Sequence, residues 1–130
     1  MTPEETVRAY YDALRAGDPL APFFVESPRT VKVGISERLV GYAEVAAGLR
    51  EQTRTTDDWR VESHDLTVVE RDDCAAVSDE VSLSWYDGEA FAERSFETRW
   101  SGTLLASDDD WAFAGLHVSA ATDLDAGTDR

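Results

Sequence analysis

His117 is one of only two histidines in the chain, and it lies in a run, Trp111-Ala-Phe-Ala-Gly-Leu-His-Val-Ser119, whose alternation reads as a strand. Regular alternation puts Trp111, Phe113, Gly115, His117 and Ser119 on one face and Ala112, Ala114, Leu116 and Val118 on the other. Neither set suits bulk water, so the strand is expected inside a sheet, one face on core and the other lining a cavity. Arg99 and Ser101 fall in the preceding strand-like run. If the turn at Asp108-Asp-Asp110 closes with an odd-numbered loop, facing positions add to an even number, and Arg99, Ser101, Phe113 and His117 share one face within cross-strand reach. A guanidinium and an imidazole in an apolar hollow would bind a carboxylate or polarise a carbonyl. An even-numbered loop puts the two on opposite faces. The competing reading pairs Arg99 with one of the many acids and leaves His117 hydrogen-bonded to a neighbour in the core.

Asp79 alternates with Val77, Val81 and Leu83, so it faces with an apolar row, an expensive place for an unpaired carboxylate. It is a base or, by the stronger expectation, a paired group such as the counter-charge of Arg99. Tyr10, spaced with Val7 and Leu14, points inward from a helix, as core or as a site residue. Trp59, Trp85 and Trp100 read as sheet core or a dimer face. With His64, His117 and one distant cysteine, no His/Cys metal site is expected. There is no nucleophile elbow, and Gly34, Gly41 and Gly115 make no phosphate loop. No cofactor is expected.

The elements that must position these residues are legible in order. Thr2-Pro-Glu-Glu5 sets a helix start at Pro3, and Gly17 supplies its left-handed stop. Asp18 to Phe24 holds two prolines and can form only a short helical turn. Thr30–Ile35 suits a short strand, Tyr42 to about Gln52 a second long helix, and Thr53–Asp58 a loop. Trp59–Val69, Cys74–Tyr86, Phe91–Leu105 and Trp111–Ala120 are strand-like and separated by short polar turns, which predicts an antiparallel meander. Helices first and a long-stranded sheet last argue an α+β fold with helices on one face of a curved sheet. Residues 1–120 form one domain, and 121–130 a disordered tail.

The chain of 130 residues carries a formal charge of −15, and Lys32 is the only lysine among its 12 basic residues. Acid spread along the whole length describes a charged shell whose self-repulsion fades at molar salt, so a halophilic, cytoplasmic protein with an acidic surface is expected. GC-rich coding would explain the scarce lysine but not the excess acid. Nucleic acid and anionic membrane are poor partners for this charge. Cys74 alone permits no intrachain disulfide, and no segment reads as a signal or a membrane span.

Three pieces together resemble the SnoaL-like family of the nuclear transport factor 2-like (NTF2-like) superfamily: Tyr10-Tyr-Asp-Ala-Leu-Arg-Ala-Gly-Asp18, Gly34-Ile-Ser-Glu-Arg-Leu-Val-Gly-Tyr42, and Trp111 followed by His117-Val-Ser119. Arg99-x-Ser101 also looks like the family's Arg-x-Ser/Thr spacing. The resemblance implies a cone, with three N-terminal helices closing a strongly curved, mainly antiparallel sheet around a pocket, and a homodimer through the sheet. It implies a small-molecule-binding or assembly domain, or an isomerase, cyclase or hydro-lyase acting on a small carbonyl compound. In the ketosteroid isomerases of this superfamily, the place of Tyr10 supplies a phenol that stabilises an enolate. The two acids those isomerases need would fall near Lys32-Val33-Gly34 and near Ser101, where this chain has none, which counts against their proton abstraction. Tyr10, Asp79, Arg99, Ser101, Phe113 and His117 are therefore the expected ligand-binding set.

Overall fold

Thr2 opens the first helix, α1 (Pro3–Ala16), through a reciprocal cap: its hydroxyl accepts the Glu5 N–H at 3.1 Å, and the Glu5 carboxylate accepts the Thr2 N–H at 2.7 Å. Gly17 ends the helix at φ 72°, a left-handed conformation that costs glycine least. The structure, a computed structural model, describes residues 1–123, so most of the expected tail lies outside the described residues; Ala121–Asp123 carry no regular structure. The proline-rich stretch after α1 makes one 3₁₀ turn, Ala21–Phe23. Two helices and a turn thus stand where the resemblance implied three helices, because Pro19 and Pro22 deny a longer ladder.

Short strands β1 (Val31–Val33) and β2 (Arg38–Val40) precede α2 (Tyr42–Thr55), which runs three residues beyond Gln52 and absorbs half of the expected loop. β3 (Thr56–Ser63) and β4 (Thr67–Glu70) replace the single strand expected over Trp59–Val69, and both pair with β5 (Cys74–Asp87). β6 (Ala92–Ser107) and β7 (Asp110–Ala120) complete one seven-stranded sheet in the order β2-β1-β7-β6-β5-β3, with β4 also beside β5. The meander is antiparallel as expected; among the described strands β1 and β7 pair in parallel, and an isolated parallel bridge joins Phe24 to Phe113. The architecture is α+β, with α1 and α2 packed on the inner face of a curved, mainly antiparallel sheet.

Two irregularities decide which side chains look inward. The β6–β7 turn holds two residues, Asp108 and Asp109, an even-numbered loop, with Asp108 at φ 55°. Near the turn, Phe113 therefore faces Leu104; a bulge at Ala114 then restores the other register, so that Ser101 faces His117 and Arg99 faces Ser119. Phe113, Leu116 and Val118 all end up buried inside, and His117 is turned out. A second bulge, between Asp57 and Arg60, keeps both Thr56 and Trp59 on the inner side. The core gathers on Tyr10, whose ring meets Phe23, Phe24, Trp100 and Phe113 edge-on at 5.4–6.0 Å.

Candidate functional site

Between α1, α2 and the inner sheet face lies a cavity of about 460 Å³, within the roughly 300–1,000 Å³ of small-molecule pockets. Trp100, Leu116, Val118 and Leu83 give it apolar walls, and Trp59 stacked on Trp85 at 4.6 Å forms one side. Glu51, Gln52, Asp87 and Glu89 also line it. Glu51 is paired with Arg54, which holds its carboxyl below the usual range. Asp87 accepts the Ala90 and Glu89 N–H groups and pairs with Arg94, and the Ala90 bond does most to lower its carboxyl pKa.

Two polar groups face this cavity from buried positions. Tyr10 is 2% exposed, and burial first, then the charge of Glu37, pushes its phenol pKa up. Among the described residues nothing hydrogen-bonds that phenol, yet no sealed side-chain oxygen or nitrogen lacks a partner; the Tyr10 oxygen therefore opens onto the cavity. Lys32, inward on β1, is 6% exposed, and its ammonium donates to Glu37 Oε1 at 2.6 Å. Glu37 reaches it by folding back from the β1–β2 turn over Gly34, where any side chain would collide with the carboxylate.

Of the expected set, Tyr10 lines the cavity and Phe113 is packed beneath it against the Tyr10 ring. Arg99, Ser101 and His117 do share one face, but it is the outer face of the sheet, where all three are exposed. The bulge at Ala114 is the reason: it separates His117 from Phe113. Asp79 is 4% exposed, yet it is not paired with Arg99. It accepts the Tyr11 hydroxyl at 2.7 Å, the Ser63 hydroxyl at 2.6 Å and the Asp65 N–H at 2.9 Å, away from the cavity lining. Trp85 and Phe96 face inward, tilted on each other, so no tryptophan patch covers the outer sheet. Lys32, Glu37 and Gln52 escaped sequence reasoning, though the solitary lysine was a signal. No group of three or more metal-ligating side chains is gathered among the described residues, and no described helix is long and apolar enough to cross a membrane.

The sequence profile of the SnoaL-like domain matches residues 4–123. No curated protein matches the chain. Among solved structures it is similar to a nuclear transport factor 2 (NTF2-like) superfamily protein from Salmonella enterica, at TM-score 0.82 and 14% identity over 97% of this chain and 93% of that one. A candidate dehydratase of the NTF2-like family from Streptomyces avermitilis gives TM-score 0.82 and 17% identity over 92% and 94%. A ketosteroid isomerase-like protein from Erwinia carotovora gives 0.75 and 18% over 92% and 94%. At such identities these likenesses bear on the fold alone.

Proposed function

Since this chain belongs to the SnoaL-like domain family of NTF2-like proteins, we propose that it is a small-molecule-binding domain, homodimeric through its sheet. The cavity takes a neutral organic molecule with an apolar body and one hydrogen-bond-accepting oxygen. The Tyr10 phenol carries this reading: it is a buried donor that opens onto an apolar-walled cavity, and among the described residues no group accepts from it. A carbonyl or hydroxyl oxygen would supply that acceptor while Trp100, Leu116 and Val118 cover the rest. Acids at the cavity edge and the charge of −15 disfavour anionic ligands.

Titration of tryptophan fluorescence with 2-naphthol and a series of cyclic alcohols tests it, because Trp59, Trp85 and Trp100 line the cavity. Saturable quenching is expected, and Tyr10→Phe should cost about 1 kcal/mol, roughly a fivefold rise in Kd. No saturable response to any member of the series would sink the reading.

The dimer is supported by the outer face of β5, β6 and β7. There Ala76, Ser78, Ser82 and Ser84 are small, and Glu80 stands opposite Arg99. Glu93 and Glu97 share that face with Glu80 and Arg99, so pairing through it depends on salt to screen the surplus acids. Native mass spectrometry in a volatile high-salt buffer should give twice the chain mass, and Arg99→Glu should shift it to monomer. We also place the protein in a salt-rich cytoplasm, on its charge and its single unpaired cysteine.

A further inference from the structure

Eleven arginines and one lysine make up the basic residues, and that lysine is the cation buried in the cavity wall. An ion pair with Glu37 does not explain the choice, because a guanidinium meets a carboxylate through two parallel bonds where an ammonium offers a point charge. What lysine has and arginine lacks is an amine that, once it gives up a proton, is a nucleophile. The proton's destination is already in place, since Nζ lies 2.6 Å from Glu37 Oε1. Glu37 is itself partly open, with its side chain 36% exposed against 8% for Lys32, so it can exchange protons with solvent while the amine stays covered.

We propose that Lys32 condenses with an aldehyde or ketone held in the cavity to form an imine, with Glu37 as the proton carrier and Tyr10 as the donor to the carbonyl oxygen. This rests on the reading of the cavity as a ligand site and names the class of ligand. The Lys32 ammonium first passes a proton to Glu37. The freed nitrogen attacks the carbonyl carbon; a C–N bond forms, and the π pair moves onto the oxygen, which the Tyr10 phenol hydrogen-bonds. A nitrogen proton then moves to that oxygen, giving a neutral carbinolamine. Glu37 returns its proton to the hydroxyl, which leaves as water while the nitrogen lone pair closes the C=N bond. Ammonium and carbonyl have become protonated imine and water, charge is conserved, no oxidant or reductant is used, and the Glu37 carboxylate is restored beside the new cation.

The test is reductive trapping of the full-length protein at neutral pH with cyanoborohydride and a graded series of aldehydes and ketones: propanal, benzaldehyde, 2-naphthaldehyde and cyclohexanone. The adduct is located by peptide mapping. Only Lys32 and the Met1 α-amine can react. An ordinary lysine, with a pKa of ~10.4, is protonated far more than an α-amine of ~7.8, so unassisted trapping goes to Met1 first. The expected result is the reverse, with Lys32 labelled about tenfold faster than Met1 for at least one carbonyl. 2-Naphthol should protect Lys32 and leave Met1 unaffected. Lys32→Arg should lose the internal adduct while the Met1 label persists; if that variant fails to fold, site mapping and protection in the unaltered protein decide alone. Quenching by 2-naphthol with label confined to Met1 for every carbonyl overturns the imine and leaves the binding site standing. Neither quenching nor internal label overturns both.

Discussion

Asp79 shows how a buried carboxylate is stabilised without a cation. Three donors converge on it: the Tyr11 hydroxyl, the Ser63 hydroxyl and the Asp65 N–H, tying α1, β3 and the β3–β4 connection to β5. Asp79→Ala strands all three donors and should lower the unfolding free energy by about 3 kcal/mol, measured by urea denaturation; a loss under about 1 kcal/mol would mean water replaces the carboxylate. The neighbouring phenols set the alkaline limit. Burial raises the pKa of both Tyr10 and Tyr11, with the Asp79 hydrogen bond adding to Tyr11 and the Glu37 charge to Tyr10. Above pH ~10 the unfolded chain loses phenolic protons that the folded chain keeps. Stability is therefore complete below that pH and falls above it by up to about 1.4 kcal/mol per pH unit for each tyrosine. Denaturation midpoints between pH 9 and 11, with Tyr10→Phe shallower than the unaltered protein, check this. At this scale the sequence showed that Asp79 needs partners and that Tyr10 points inward. It could not show which partners, because they come from segments brought together only by the fold.

At the scale of elements, local chemistry was readable where it was self-contained. The Thr2–Glu5 cap, the Gly17 stop and the four-run meander all follow from residues a few positions apart. The faces of β7 did not, because one extra residue at Ala114 breaks the alternation between Phe113 and Leu116, and an Ala-Gly pair gives little compositional sign of a bulge. That single irregularity moved His117 to the outside. The bulge also draws backbones together: a Cβ on Gly102 would lie 2.8 Å from the Gly115 carbonyl oxygen. Gly102→Ala should therefore cost about 1–3 kcal/mol despite adding one methyl. A melting temperature equal to that of the unaltered protein would show that the strands can part freely there. The split of Trp59–Val69 into β3 and β4 was equally hidden, since His64-Asp-Leu66 contains neither proline nor glycine.

At the scale of the whole molecule, charge dominates. With −15 spread over 130 residues, like charges crowd one another at low ionic strength, and at 1 M salt a Debye length of about 3 Å removes most of that cost. The melting temperature should rise by several degrees from dilute buffer to molar KCl, followed by circular dichroism. A flat profile would count against salt adaptation.

The parallel pairing of β1 with β7 has a consequence for synthesis. Lys32 is made early, but its strand is held between β2 and Gly115–His117 of β7, and Leu116 and Val118 on that strand furnish the adjoining wall. A nascent chain halted on the ribosome before Trp111 would have its amine and its phenol but no chamber around them. Whatever enters that chamber must wait until Asp110–Ala120 has left the exit tunnel, and the emergence of that strand becomes the step that switches the site on.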